Sequence, residues 1–219
     1  MKMNLAKIYH EEDLFPREIT TWESREYGIL FYNTDNPDSY DSNHAVIFKE
    51  RISDLKEVLQ ECGFKSWTEA QRFMVKREEN IIQPNPEIVV EKVSQWKEEF
   101  ASEIFEKAGE PWEIGVAKRA LSNGNTLFFV AFYQGKPVGM LHSHVTKGVC
   151  RGDYLLVSKE HRNMGVGRLL MHAFVENCNA NQIEDCFLWT DGETAERIYN
   201  ESGFLYVEAK HAGRAVYVE

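Results

Sequence analysis

Apolar positions in the second half of the chain fall into short runs and helical stripes, separated by turns that carry Gly, Asn or Pro. Val93, Trp96, Phe100 and Ile104 share one helical face and predict a helix. Trp112 to Leu121 predicts a second, entered at Pro111 and stopped by Asn123-Gly124. Thr126 to Tyr133 is an apolar run of strand length, and the turn Gln134-Gly135-Lys136 leads into Val138 to Val145, which predicts a hairpin. Tyr154-Leu155-Leu156-Val157 predicts a buried strand, and Leu169 to Val175 a helix with an apolar face. Cys186 to Thr190 predicts another buried strand, and Ala195 to Asn200 a helix broken by Gly203. Phe204 to Glu208 and Ala215 to Val218 predict two closing strands around a turn near Ala212-Gly213. The order ααββ, βα, βα, ββ predicts an α/β fold, a mixed sheet flanked by helices, with ligand binding where neighbouring strands splay.

The first part is sparser in signal. Gly28 to Tyr32 and Ala45 to Phe48 predict strands around Asn33 to Asn43, a stretch dense in turn residues. Ile52, Leu55, Val58 and Leu59 recur at helical spacing, with Gly63 as the expected C-cap. A polar stretch follows, and Gln83-Pro84-Asn85-Pro86 has the composition of a linker. The expected organisation is therefore a smaller N-terminal α/β lobe over 1–83 and a main domain over 84–219. The acidic runs Glu11-Glu12-Asp13 and Glu78-Glu79 read as solvated faces. Trp22, Trp67, Trp96, Trp112 and Trp189 read mostly as core, with Trp112 placed between the first two helices of the main domain.

Candidate chemistry concentrates at Arg162-Asn163-Met164-Gly165-Val166-Gly167, between the predicted strand and helix. Glycines there let backbone N–H groups approach a phosphate, and the helix N-terminus adds partial positive charge. Read alone, the same glycines also suit a plain tight connection. With 43% hydrophobic and 27% charged residues in 219, the chain has an ordinary globular composition. A net charge of −10 disfavours nucleic acid and anionic membrane as partners and suits a cationic or amine substrate. No apolar stretch approaches a membrane span, and Met1 to Lys7 leads into acidic residues rather than an apolar run, so a cytoplasmic protein is expected. Cys62, Cys150, Cys178 and Cys186 form no C-x-x-C pair and read as buried free thiols. His142 and His144 share a strand face, but no Cys or carboxylate stands at ligand spacing. A pocket or solvent role is expected of them, and no metal.

Three motifs in order carry a family resemblance. The turn Arg162 to Gly167 resembles the R/Q-x-x-G-x-G/A signature of the GNAT acetyltransferase superfamily. Gln134-Gly135-Lys136-Pro137-Val138-Gly139 is similar to the hairpin such enzymes place ahead of it. Ala195-Glu196-Arg197-Ile198-Tyr199-Asn200-Glu201-Ser202-Gly203-Phe204 resembles their A-x-x-x-Y-x-x-x-G-F helix. The resemblance runs from about Pro86 to Glu219 and implies a mostly antiparallel GNAT-type sheet; the N-terminal lobe could be a reduced GNAT-like half. It implies that Arg162 and the backbone N–H groups of Asn163, Met164, Gly165, Val166, Gly167 and Arg168 hold the pyrophosphate of acetyl-coenzyme A, the cosubstrate. Main chain of Leu155, Leu156 and Val157 would pair with the pantetheine arm, and Tyr199 would protonate the departing thiolate. A phenol suits that step, being reliably protonated at neutral pH.

Asp153 reads as a surface carboxylate or, on the same alternation as Leu155 and Val157, as a base acting through water. Many relatives carry Asn where this chain has Gly192, which leaves the pantetheine contact to Thr194. The resemblance thus implies an N-acetyltransferase acting on a primary amine by direct transfer, with a homodimer compatible with it. The alternative is a non-catalytic acyl-coenzyme A-binding or regulatory protein on the same scaffold. A third reading, ADP binding, lacks the G-K-[ST] of a triphosphate loop.

Overall fold

The computed structural model of the chain describes residues 5–26, 28–34, 43–47, 60, 64–78, 85–190 and 192–217, and gives backbone alone for 64–72 and 208–217. It begins with helix α1 (Leu5–Ile19), followed by a three-stranded antiparallel sheet of β1 (Thr21–Arg25), β2 (Gly28–Tyr32) and β3 (His44–Ile47). The central sheet has seven strands: β4 (Phe64–Lys76), β5 (Ile88–Lys92), β6 (Thr126–Tyr133), β7 (Lys136–Thr146), β8 (Val149–Val157), β9 (Asp185–Thr190) and β10 (Phe204–Tyr217). Their spatial order is β10-β4-β9-β8-β7-β6-β5, antiparallel at every joint except β8 against β9. The expected mixed, mostly antiparallel α/β sheet is therefore present.

Among the described residues, four further helices flank it. Helix α2 spans 98–108 and contains a π-helical stretch, Ala101–Glu106. Helix α3 (Ile114–Ser122) follows a 3-10 turn, Pro111–Glu113, with proline in the first turn where its missing N–H costs nothing. Helices α4 (Val166–Ala180) and α5 (Glu193–Glu201) complete the set. β6 is an unbroken apolar run because both its faces are covered. Phe128 and Val130 pack with Phe100, Ile104 and Phe105 of α2 and Ala117 of α3. Phe129 and Ala131 belong to the opposite cluster, with Leu170 and Phe174 of α4. Helix α1 lies on the α2/α3 side, where Ile8 packs with Phe73, Val75, Val149 and Phe187.

Several sequence expectations change. Val93 and Trp96 pack against the α2 cluster from a bent, non-helical connection, because the helix starts only at Glu98 and β5 precedes it. The two closing strands are one strand, β10, since β4 pairs along its whole length and removes the need for a turn at Ala212-Gly213. β4 itself comes from the polar stretch before the linker, so the expected boundary at 83/84 is crossed in space by a strand of the first part. Glu11 is buried and Glu12 is ion-paired to Arg151, so that acidic run is not a solvated face. Trp22 and Trp112 are exposed. Cys150, Cys178 and Cys186 are buried free thiols, as expected. The expected helix over Ile52 to Leu59, its Gly63 cap and Glu79 lie outside the described residues.

Candidate active site

The site begins where β8 and β9 part. They pair only through Val149↔Asp185, Cys150↔Cys186 and Arg151↔Phe187, and β9 then turns its remaining residues to β4. Beyond Arg151, β8 has no strand partner on its β9 side among the described residues, while its other edge stays paired with β7 as far as Val157. Ser158 N–H donates to the Val138 carbonyl at 2.9 Å, which fixes the alternation. Main-chain groups of Leu156 turn to β7, and those of Leu155 and Val157 turn to the open edge. Of the three residues expected to pair with a pantetheine arm, Leu156 therefore has its main chain committed elsewhere. The Val157 carbonyl accepts from Arg162 Nε at 3.3 Å, so Arg162 braces the strand end that leads into the turn.

Facing that edge is the N-terminus of α4. Gly165 caps it at φ +87° in the left-handed region, which glycine enters without a Cβ penalty, and Asn163 is left-handed at φ +63°. The first helical bond of α4 runs from Leu169 N–H to the Gly165 carbonyl. The N–H groups of Val166, Gly167 and Arg168 consequently have no partner within the helix, and no side chain caps them. A Cβ at Gly167 would stand 3.5 Å from Ile198 Cδ1 and 3.8 Å from Leu155 Cδ2, so the first turn of α4 packs directly on α5 and β8. At Gly139 the approach is tighter, with the Leu156 carbonyl oxygen 2.9 Å from such a Cβ. Arg168 is ion-paired to Glu201, tying the turn to the end of α5. Tyr199 is buried against this same cluster, one residue from Ile198, whereas Thr194 is exposed on the first turn of α5.

A second group of functional side chains lies on the α1/α3 side. Tyr154 pairs with His142 and Gly152 with Ser143, which leaves Asp153 as the extra residue of a β-bulge. Asp153 is thereby turned away from the face of Leu155 and Val157, contrary to the simple alternation expected of it. Its carboxylate pairs with the Arg151 guanidinium and stands 3.4 Å from His142 Nδ1. Arg151 Nε also donates to Glu12 Oε1 at 2.6 Å, and its guanidinium lies 4.3 Å over the Phe15 ring, so α1 is clamped onto the bulge. His144 Nε2 is 2.7 Å from Glu18 Oε2, a second link between α1 and β7. His142 is stacked between Phe128 and Tyr154.

Burial would raise the Asp153 carboxyl, but Arg151 and His142 outweigh it and hold the group below its usual range. Burial pushes the His142 imidazole down, and Asp153 restores only part of that shift. Asp153 is thereby biased toward its anionic form and His142 toward its neutral form. Glu12, Glu18 and Arg151 were not singled out by the sequence, and nothing in their spacing joins α1 to β7 and β8. The run His142-Ser143-His144 is visible in the sequence, as is the lack of a Cys or carboxylate at ligand spacing. Among the described residues no group of His, Cys, Asp and Glu is arranged to hold a metal.

Residues 86–215 match the family model described as acetyltransferase (GNAT) domain. That match covers more than half of the chain, and the chain belongs to the GNAT acetyltransferase family. A search of curated proteins gives no match. Among solved structures, the chain is similar to a conserved protein of unknown function from Staphylococcus epidermidis ATCC 12228, with a TM-score of 0.60 and 13% identity over 99% of this chain and 98% of that one. A GCN5-related N-acetyltransferase-like protein from Streptococcus suis 89/1591 gives a TM-score of 0.52 at 13% identity, over 77% of this chain and 69% of that one. A GCN5-related N-acetyltransferase from Sphaerobacter thermophilus gives 0.50 at 14% identity, over 74% and 56%. At these identities the likeness is one of fold. The first of them extends it through the N-terminal part, which the family model leaves out.

Proposed function

We propose that the protein is an acetyl-coenzyme A-dependent N-acetyltransferase that acylates a primary amine by direct transfer. The observation that carries this reading is the open β8 edge at Leu155 and Val157, set against the uncapped N-terminus of α4. Three helix N–H groups and the positive end of the helix dipole suit a pyrophosphate, and the strand edge suits an amide-bearing arm. Acetyl-coenzyme A, when bound, supplies the thioester whose acyl carbon forms the new C–N bond as the C–S bond breaks.

The chain's own groups handle position and protons. Backbone N–H groups of Val166, Gly167 and Arg168 bind the diphosphate, and the main chain of Leu155 and Val157 orients the arm along the strand. The N–H of Val157 polarises the acyl carbonyl. His142 takes the proton from the acceptor amine, held in one orientation by Asp153 at its Nδ1. The Tyr199 phenol gives a proton to the departing sulfur. Asp153 is thus a positioning residue rather than the base itself. Residues 1–83 extend this catalytic unit with a strand and a clamping helix, and three buried thiols suit a reducing, cytoplasmic setting. Among the described residues, no helix is long and apolar enough to cross a membrane.

Isothermal titration with acetyl-coenzyme A tests the reading, and no heat at millimolar ligand would sink it. A non-catalytic acyl-coenzyme A-binding protein is the second reading, favoured by Gly192 at the N-cap of α5, where it supplies no side-chain cap or contact. Heat-labile turnover of any amine in a broad panel removes that alternative.

A further inference from the structure

A side chain from well outside the glycine turn reaches into it. Asn85 Nδ2 donates to the Met164 carbonyl at 3.4 Å, across 79 positions of sequence. The other end of the same amide is also held, since Oδ1 accepts from the Glu87 N–H at 3.1 Å. That bond settles which end faces the turn, because only the oxygen can accept from Glu87. The main chain of Asn85 is engaged as well: its carbonyl accepts from the Ile88 N–H at 3.1 Å, where β5 begins. Asn85 is therefore a half-buried donor fixed at three points, not a loose surface amide.

The consequence falls on the next peptide group. The Met164–Gly165 peptide is trans, so its carbonyl and its N–H point in opposite directions. A Met164 carbonyl drawn toward Asn85 aims the Gly165 N–H away from Asn85. Asn85 approaches from the β5 end of the sheet, three strands from β8, whereas the open edge of β8 faces the other way, toward β9. The Gly165 N–H is thereby turned to the side of that edge. It has no hydrogen-bond partner among the described residues, and a Cβ built at Gly165 would meet no atom within 4 Å, so the space beside it is open. Glycine accepts φ of either sign, so Gly165, at φ +87°, does not by itself choose between this peptide orientation and the flipped one. In the flipped orientation the Met164 oxygen would face the open edge and repel a phosphate.

We propose that Asn85 is a positioning residue for the coenzyme. It selects the orientation of the Met164–Gly165 peptide in which the Gly165 N–H joins those of Val166, Gly167 and Arg168 on the diphosphate. Asn85 acts through the turn and not by its own contact with the coenzyme. The inference rests on the acetyl-coenzyme A reading of the site.

The test uses the full chain with acetyl-coenzyme A as the probe, read by isothermal titration and by the Gly165 amide in two-dimensional NMR. In the wild type, saturation should move the Gly165 amide proton downfield, as for an N–H that gains a charged acceptor. Asn85→Ala should bind about fivefold to tenfold more weakly, the scale of one lost hydrogen bond, with little change in melting temperature. At saturation its Gly165 shift should be lost. Asn85→Asp keeps the shape and the Glu87 contact and removes only the donor, so it should lose at least as much. That loss should persist at ~1 M salt, where the Debye length is ~3 Å and repulsion at longer range is screened. Wild-type affinity in either variant, or a full Gly165 shift in Asn85→Ala, would overturn the proposal and leave the transferase reading standing. A Gly165 amide that stays put in the saturated wild type would do the same, and that measurement holds even where a variant fails to fold. No binding by the wild type would instead remove the acetyl-coenzyme A reading itself, and this inference with it.

Discussion

The two faces of β8 solve different problems with different materials. On the α4 side, Gly167 packs against the side chains of Leu155 and Ile198, and the polar groups left open are the main-chain N–H donors of the first helical turn. On the α1 side, the contacts are made by side chains: Arg151 pairs with Glu12 and Asp153, while His142 lies against Asp153 and His144 against Glu18. A main-chain site constrains where glycines fall and tolerates variety elsewhere. A side-chain site can be remade by changing one residue.

The largest expected effect comes from the α4 side. Tyr199→Phe should leave folding and coenzyme affinity intact and lower turnover by ~10²–10⁴-fold, the usual scale of general acid catalysis. Its KM for the amine should move little. Wild-type turnover with no pre-steady-state burst would return Tyr199 to a packing role. Next, Arg151→Met strips Glu12 and Asp153 of their buried partner, with Arg151 itself only 7% exposed. Global stability should drop by ~3–5 kcal/mol, as for other broken buried pairs. Urea denaturation reads this directly, and a loss within error would mean that the network adds no stability.

On the opposite face, Gly165→Asp places a negative side chain in a left-handed position at the phosphate cradle. Coenzyme affinity should fall by ~2–3 kcal/mol with the α1 network undisturbed. A folded variant with normal affinity would place the coenzyme elsewhere.

Acid should separate the faces more gently. The folded-state pKa of His142 lies below its unfolded value, so the unfolded chain takes up the proton first and stability falls as pH drops below about 6.5. Asp153 is also depressed, and its contribution, present above its unfolded pKa, is lost at still lower pH, in the same direction. Melting temperature recorded from pH 8 to pH 4 should show that decline, reduced at its upper end in His142→Gln; a flat profile would contradict the burial of a neutral imidazole. The smallest effect is at the rim of α1, where Lys7 pairs with Asp185 from a side chain that is 53% exposed. Lys7→Ala should cost no more than ~1 kcal/mol, and a larger loss in urea would show α1 held by more than Arg151 and His144.

The sequence revealed the α4 side far better than the α1 side, for reasons that lie in the residues. β6, β7, β9, α4 and α5 are written in apolar runs or stripes with glycine punctuation, and the glycine turn is local in sequence. α1 carries Pro16 inside its last turns and buries Glu11, so neither its composition nor its pattern announces a packed helix. β4 is polar over much of its length and carries its buried residues, Phe73, Met74 and Val75, only near its end, so its sequence does not announce a strand of the central sheet. The bulge at Asp153 shifts one register position, which no period-two pattern encodes. Glu12 and Arg151 meet from elements far apart in sequence, and an ion pair of that kind leaves no local signal.

The placement of β4 also bears on how the molecule is made. It is synthesised well before its two neighbours in the sheet, β9 and β10. Until then both of its hydrogen-bonding edges are open, and the final sheet closes by inserting an old strand between two new ones. Long-range pairing of this sort is slow and exposes strand edges meanwhile. The segment that carries the family motifs, 86–215, would lack the strand that separates β9 from β10 if it were expressed by itself. Assembly of the sheet in 86–215 therefore waits on β4, which must remain unaggregated and within reach until β10 is translated.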